Sequence, residues 1–332
     1  MDQNAAIPVC GVLMPTITFQ GKTYSCSSSE LLLDGINSQG GNLSYGCRGG
    51  LCQACMVKAI KGAPPVAAQA GIKPALQEKG YFLSCLCKPE SDMEITLPDR
   101  SDEFISATVL EVEHLNETII RLTTTRPDNF NYTPGQFVNL IRAEDGLARS
   151  YSLASIADDQ QLEFHIRLLK DGKMSGWIAD SLKSGSEVLF SEAMGDCCYK
   201  HAYADTPLFL AGTGTGLAPL YGILRDALAA GHLQPICLLH GALSSEDLYF
   251  DQQLRQLAAE HDNLTYLPCV LHGEAPAGGL SGPIDHLLPE QLAAQESWIA
   301  FLCGDSAIVN AMRRSCFNHG IDESAIHSDG FG

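Results

Sequence analysis

The chain has 332 residues, 45% hydrophobic and 18% charged, which is too long for a single core and reads as two or three globular domains. A formal net charge of −18 argues against nucleic-acid binding, because phosphate neutralisation needs a basic surface. No apolar run reaches the length of a membrane span, and the start, Met1 to Pro15, lacks the basic and apolar blocks of a signal peptide; with 13 cysteines this reads as a cytoplasmic chain with reduced thiols.

The charge is unevenly placed. Residues 1–100 hold 8 Lys and Arg against 8 Asp and Glu, leaving 13 against 31 beyond them, so the acidity belongs to the later part. Along the chain, "TITFQGKTYSC" reads as two short strands around a Gly-Lys turn. "SSSELLLDGINSQG" reads as a helix with a serine cap and Gly40 as its stop. After a thiol-rich loop, "GAPPVAAQAG" suits an irregular crossing, and "YFLSCLCKPESDMEITLP" reads as extended. A linker is expected at Pro98–Asp102, which sets three domains at residues 14–98, 103–203 and 204–332. From Ile105 to about Tyr203 short strands recur, as in an antiparallel β-barrel, with one helical insert at "MSGWIADSLKSG". Beyond Thr206 apolar strands alternate with helices, which implies a parallel sheet covered on both faces. The expected class is multidomain, α+β followed by α/β.

Cys47, Cys52 and Cys55 have the spacing C-x4-C-x2-C, the ligand run of a plant-type 2Fe-2S cluster, which needs one more distant cysteine. Zinc would favour two C-x2-C pairs, and only one is present. Gly46, Gly49 and Gly50 are expected to supply positive φ and close approach in the loop, and Arg48 to oppose some of the cluster's charge. Cys85 and Cys87 are the candidates for the fourth ligand. Read as extended, the segment points both to the same side, and periodicity leaves the choice open.

Residues Ile17 to Leu97 resemble the β-grasp ferredoxin domain at the front of many bacterial oxygenase reductases. In that family the last ligand is the earlier cysteine of a pattern like "LSCLCKPESD", so the resemblance implies Cys85. Cys87 is then a packing thiol or one that lies just behind the ligands.

"PGQF", "RSYSLAS" and "GKMS" follow one another in an order similar to the ferredoxin–NADP+ reductase superfamily, and the likeness runs from Ser106 to the end of the chain. It implies an FAD lined by Arg149, Tyr151 and Ser152. Arg149 would face a phosphate oxygen, Tyr151 the ring, and Ser152 would serve catalysis with a hydroxyl near the flavin N5. Gly172, Lys173, Met174 and Ser175 open the insert helix, whose unpaired N–H groups suit a pyrophosphate. The family usually has Gly-Pro where Ala193 and Met194 precede Gly195, so that loop is expected to differ in shape.

"LFLAGTGTGLAP" is a strand entering a glycine turn, Gly212, Thr213, Gly214, Thr215 and Gly216, whose spacing fits neither the G-x-G-x-x-G fingerprint nor a P-loop. It resembles the superfamily's Rossmann-like nicotinamide-binding turn. By the same resemblance Cys303, with Gly304, lies beside the nicotinamide as a catalytic thiol, and Phe331 covers the flavin ring.

A hydride carries two electrons while a 2Fe-2S centre accepts one, and a flavin between them converts one currency to the other. The implied function is an NADH-dependent reductase passing electrons from NADH to FAD to the 2Fe-2S cluster and on to a separate oxygenase component. Two rivals are a reductase for a deoxysugar dehydratase or another iron–sulfur partner, and a redox sensor or carrier module without steady turnover. NADH is expected over NADPH, because "HGALSSEDLYF" offers no basic partner for a 2′-phosphate, Leu243 stands where relatives often carry Arg, and Asp247 would repel it.

Overall fold

The computed structural model describes residues 14–99, 104–295 and 297–331. The linker expected at Pro98–Asp102 falls mostly outside them. The chain divides into two compact units, one of residues up to 102 with Gly146–Ala148, the other of the remainder.

The first unit is a five-stranded mixed sheet, built from β1 (Thr16–Phe19), β2 (Lys22–Ser25), β3 (Met56–Lys61), β4 (Tyr81–Leu83) and β5 (Met93–Thr96), in the order β2-β1-β5-β3-β4. The β1–β5 pairing is parallel and the others antiparallel. Its core is apolar, with Ile17, Phe19, Leu33, Val57, Phe82 and Ile95 all buried. The first hairpin turns at Gln20 and Gly21 (φ 50° and 74°), one residue earlier than the Gly-Lys turn expected.

Helix α1 (Leu32–Ser38) corrects the serine-cap expectation: its N-cap is Leu31, with no side-chain cap. Leu32 N–H donates instead to the Cys87 carbonyl (2.8 Å) and Leu33 N–H to that of Ser84 (3.1 Å), while Ser27 and Ser29 bond to each other. A distant turn thus satisfies two of the orphan donors of the helix start, and a second short helix, α2 (Pro74–Glu78), precedes β4. "YFLSCLCKPESDMEITLP" is likewise not one extended segment: β4 ends at Leu83, and Leu86 N–H closes a turn onto its carbonyl (3.0 Å).

In the second unit, β6 (Ile105–His114), β7 (Ile119–Thr125), β8 (Phe137–Ile141), β9 (Ala148–Ser152), β10 (Gln161–Arg167) and β11 (Glu187–Phe190) form a six-stranded antiparallel sheet in the order β10-β7-β6-β11-β8-β9. A bridge between Leu153 and Phe164 joins its two edges, with Ala154 N–H donating to the Glu163 carbonyl (2.9 Å). Closure removes the exposed edges an open sheet would leave.

The rest is a six-stranded parallel sheet in the order β15-β14-β13-β12-β16-β17: β12 (Leu208–Thr213), β13 (Ile236–Ala242), β14 (Leu264–Val270), β15 (Leu280–Ser281), β16 (Ile299–Asp305) and β17 (Ile326–Phe331). Alternate residues of β12 enter different cores, Leu208 and Leu210 one, Phe209 and Ala211 the other, so both faces are buried. Strands β15 and β17 were not expected from the sequence. A helix at Ile284–Leu292 carries Pro289 inside it. Among the described residues no helix is long and apolar enough to cross a membrane.

Candidate functional site

The thiol loop leads into β3, and register explains which cysteines meet. Met56 pairs with Leu83, so Cys55 before β3 and Ser84 after β4 come level. The fully buried Ser84 donates to the Cys55 carbonyl through both its N–H (3.1 Å) and its Oγ (2.9 Å), which fixes the turn carrying Cys85. The thiols of Cys55 and Cys85 touch, as do those of Cys47 and Cys52. Two pairs of thiols fit the four-cysteine donor set of a two-iron centre.

Backbone N–H groups point at these sulfurs: Gly49 and Cys52 to Cys47 Sγ (3.4 and 3.3 Å), and Cys47 to Cys52 Sγ (3.3 Å). Contact with Cys52, aided by those N–H groups, pulls the Cys47 thiol down to about 5, and contact with Cys55 brings Cys85 to about 7. Their partners Cys52 and Cys55 are pushed up by the same contacts. Amides aimed at sulfur and stabilised thiolates fit a cluster's donor set. Cys87 sits in the core beside Cys26, and burial pushes its thiol up to about 12.

Two expectations about the loop are revised. Gly50 takes positive φ (84°), where a Cβ would lie 2.6 Å from Leu86 Cδ1, but the other left-handed positions belong to Arg48 (52°) and Gln53 (55°). The Arg48 guanidinium pairs with Asp34 and lies over the Tyr45 ring, so a carboxylate already answers its charge.

In the barrel, β9 alternation places Arg149 and Tyr151 on one face and Ser150 and Ser152 on the other, with Ser150 Oγ bonded to Asn139 Oδ1 (2.8 Å). Burial pushes the Tyr151 phenol up, so it stays neutral. Helix α3 (Lys173–Ser181) begins at Gly172, which has no side chain to cap the first turn. A Cβ there would stand 2.4 Å from Ser175 Oγ, which itself accepts from Leu169 N–H (3.2 Å). The uncapped helix start is a cradle for an anion. Arg142, which sequence reasoning missed, grips Asp145 with two bonds (2.8 and 2.6 Å) and reaches the Lys173 carbonyl at the same helix start (3.2 Å). Met194 and Phe137 exchange both backbone bonds (2.9 and 2.8 Å), and Gly195 follows at φ 101°.

The glycine turn is explained by what lies against it. Strand β12 passes through one tight turn at Gly214–Gly216 into α4 (Leu217–Ala229). A Cβ on Gly216 would lie 2.3 Å from the Cys303 carbonyl oxygen and one on Gly212 2.9 Å from it, while a Cβ on Gly304 would meet Thr213 Oγ1 at 2.6 Å. Two strand ends interlock there, and only glycine fits. On β17, Asp329 pairs with Cys303 and Phe331 with Asp305, and the Phe331 carbonyl accepts from Ser306 Oγ (2.9 Å). Phe331 is thus anchored level with the end of β16.

Barrel and parallel sheet meet in one unit through a joint that carries no local signal in the sequence. Arg225 makes a two-bond pair with Asp159 (2.8 and 2.7 Å). The buried His165 bonds Glu163 (2.8 Å) and Tyr249 Oη (3.0 Å), and burial keeps it neutral by lowering its pKa. Cys303, fully buried, has its Sγ 3.8 Å from that of Cys197, 106 positions away, and burial pushes its thiol well up.

Comparison with known proteins finds three matching families along the chain. A 2Fe-2S iron-sulfur cluster binding domain matches residues 16–90, an oxidoreductase FAD-binding domain 107–199, and an oxidoreductase NAD-binding domain 210–314. The reductase component of the naphthalene 1,2-dioxygenase system of Pseudomonas putida is 31% identical, across 92% of this chain and 94% of that one. The xylene/toluene monooxygenase electron transfer component of the same species is 26% identical, across 94% and 91%. The crystal structure of a cytochrome P450 reductase from Amycolatopsis superposes with a TM-score of 0.67 at 27% identity, covering 95% of this chain and 98% of that one. The chain therefore belongs to the electron-transfer reductase components of multicomponent mono- and dioxygenase systems, flavin- and iron–sulfur-dependent oxidoreductases that carry electrons from NAD(P)H through FAD to a 2Fe-2S cluster.

Proposed function

We propose that this reductase takes its electrons from NADH in preference to NADPH and hands them singly to a separate oxygenase component. Asp247 carries the coenzyme reading. Its carboxylate caps the turn after β13, accepting from Ser244 N–H (3.0 Å) and Oγ (2.9 Å), and so holds a negative charge in the loop where a 2′-phosphate would need a positive one. Arg255 is already bound to Asp251 (2.8 Å) and to the Ala277 carbonyl (2.9 Å).

The cluster is assigned to Cys47, Cys52, Cys55 and Cys85. Arg149 would hold an FAD phosphate oxygen with its guanidinium fork, Tyr151 would offer its flat face to the ring, and Ser152 would offer a hydroxyl toward N5. Gly172, Lys173, Met174 and Ser175 receive the pyrophosphate on the first turn of α3. Gly212, Thr213, Gly214, Thr215 and Gly216 do the same for the nicotinamide coenzyme at the start of α4. Cys303 and Gly304, at the end of β16, would lie on the nicotinamide side of the site, and Phe331, anchored level with them, would cover the flavin. Bound FAD supplies the conversion of a hydride into single electrons. The domains are taken as 14–98, 103–203 and 204–332. The cytoplasm suits a chain whose twelve described cysteines are all free.

The oxygenase partner rests on the relatives, named for dioxygenase and monooxygenase systems. Steady-state turnover with an artificial one-electron acceptor should give a higher kcat/KM for NADH than for NADPH; the reverse order would overturn the coenzyme reading. Turnover-rate reduction of a purified oxygenase component supports the partner. Rapid reduction of the artificial acceptor with no transfer to mono- or dioxygenase components would move the reading to another iron–sulfur protein.

A further inference from the structure

Two residues of the thiol loop break the same backbone preference at the same point relative to a cysteine. Among the described residues five that are not glycine take positive φ, and two of the five, Arg48 (52°) and Gln53 (55°), directly follow Cys47 and Cys52. A left-handed residue there turns the next N–H back toward the sulfur, as in the amide nests that hold anions and iron–sulfur centres. Gly49 N–H donates to Cys47 Sγ (3.4 Å), and Ala54 N–H points at Cys52 Sγ in the same way. A side chain opposes this backbone, so the surroundings must hold it. Each of the two is held by its own side chain. Arg48 pairs with Asp34 and lies over the Tyr45 ring, while Gln53 Nε2 donates to the Gly71 carbonyl (3.0 Å). The Gln53 carbonyl also accepts from Met56 N–H (3.0 Å), which closes the turn into β3. Gly71 belongs to the crossover before α2, so the amide ties the loop to a segment 18 positions away.

We propose that Gln53 is a positioning residue for the iron–sulfur cluster: its bond to Gly71 keeps the left-handed turn that aims the Ala54 N–H at the Cys52 sulfur, and so sets how readily the cluster takes an electron. The inference rests on the assignment of Cys52 as a ligand. Hydrogen bonds to the sulfurs help to set the reduction potential of such a centre, and an N–H donor favours the form that carries the extra negative charge. Gln53 is uncharged, so its effect comes through backbone geometry and not through a field of its own.

The test is a redox titration of the cluster in the anaerobic holoenzyme, read by visible and electron paramagnetic resonance spectra, with iron and flavin content checked for each variant. Gln53→Ala loses the tether and disfavours positive φ. At a fixed ambient potential it should lower the ratio of reduced to oxidised cluster about threefold to fivefold, a negative shift of about 30–40 mV at 59 mV per tenfold. Gln53→Asn tolerates positive φ and keeps a shorter amide, and it should recover part of the shift. Gln53→Gly adopts positive φ freely but lacks the tether, and it stands in if the alanine variant fails to hold iron. It should release iron to a chelator faster than the parent and shift the potential in the same direction by less. The flavin potential should stay that of the parent in all three. A parent or more positive cluster potential in Gln53→Ala overturns the inference alone, as does a Gln53→Gly that matches the parent in both potential and iron release. A Cys52→Ser variant that keeps the parent's iron and spectrum would instead remove Cys52 from the ligands, and the inference falls with that assignment.

Discussion

Two groups of neighbouring thiols in this chain are made in different ways. The cluster loop packs Cys47, Cys52 and Cys55 into nine residues and aims backbone N–H groups at their sulfurs, so that Cys47 is drawn down to about 5. The joint between barrel and parallel sheet brings Cys197 to Cys303 across 106 positions, in apolar surroundings that push the Cys303 thiol up. The same functional group is drawn toward the thiolate in one place and kept a neutral thiol in the other. Local donors make the first environment and burial makes the second.

The contrast is broken most forcefully through its glycines. Gly216→Ala drives a Cβ to 2.3 Å from the Cys303 carbonyl oxygen, whereas at Gly49 the nearest atom would be the Cys47 carbonyl oxygen at 3.7 Å. Overpacking of a tight site costs about 1–3 kcal/mol. Gly216→Ala should therefore lower the denaturant midpoint clearly and slow FAD reduction by NADH, while Gly49→Ala should stay within about 0.5 kcal/mol of the parent. Equal losses from the two would mean that the joint is no tighter than the loop.

Acid should also strain the joint. His240 is fully buried, bonded through Nδ1 to Tyr266 Oη (3.3 Å), and its Nε2 has no hydrogen-bond partner among the described residues. Burial lowers its pKa to about 4, against a raising influence from Asp251 and a further lowering one from His165. Unfolded histidine takes a proton near pH 6.5 that this one refuses. Its stabilisation is complete above that pH and is lost as pH falls toward about 4, at up to about 1.4 kcal/mol per pH unit. Denaturant midpoints at pH 7.5, 6 and 5 should show that slope, flattened in His240→Leu; an unchanged slope in the variant would assign it to other groups.

A smaller effect sharpens the loop side. Ser84→Ala removes the Oγ bond to the Cys55 carbonyl (2.9 Å), worth about 1 kcal/mol, and should loosen the turn carrying Cys85. Iron should then be lost faster to a chelator than in the parent, with FAD reduction by NADH unchanged; parent-like iron retention would show the bond to be idle.

Much of the architecture was legible because its signals are local. The strands of the barrel, the alternation of strand and helix after Thr206, and the crowded cysteines each lie within a few residues of chain. The unread parts depend on distant partners. Strand β17 contains Ser328, Asp329 and Gly330, poor strand formers, and becomes a strand by pairing with β16. Helix α1 is started by carbonyls of Ser84 and Cys87 rather than by a serine, which no capping rule could foresee. Cys85 and Cys87 could not be told apart by periodicity because the segment is a turn and not a strand. Cys197 and the His165–Tyr249 contact had no signal short of the fold itself.

Position in the fold, and not the mere presence of a thiol, should decide which cysteines hold iron. Cys55, Cys85 and Cys87 are all buried in one core, but Cys85 meets Cys55 while Cys87, two residues on, lies beside Cys26. The direct measurement is iron content together with the visible spectrum of purified Cys85→Ser and Cys87→Ser. Cys85→Ser should lose the cluster or hold it with a severely altered spectrum, and Cys87→Ser should keep both iron and spectrum. Loss of iron from Cys87→Ser with retention in Cys85→Ser would contradict the account.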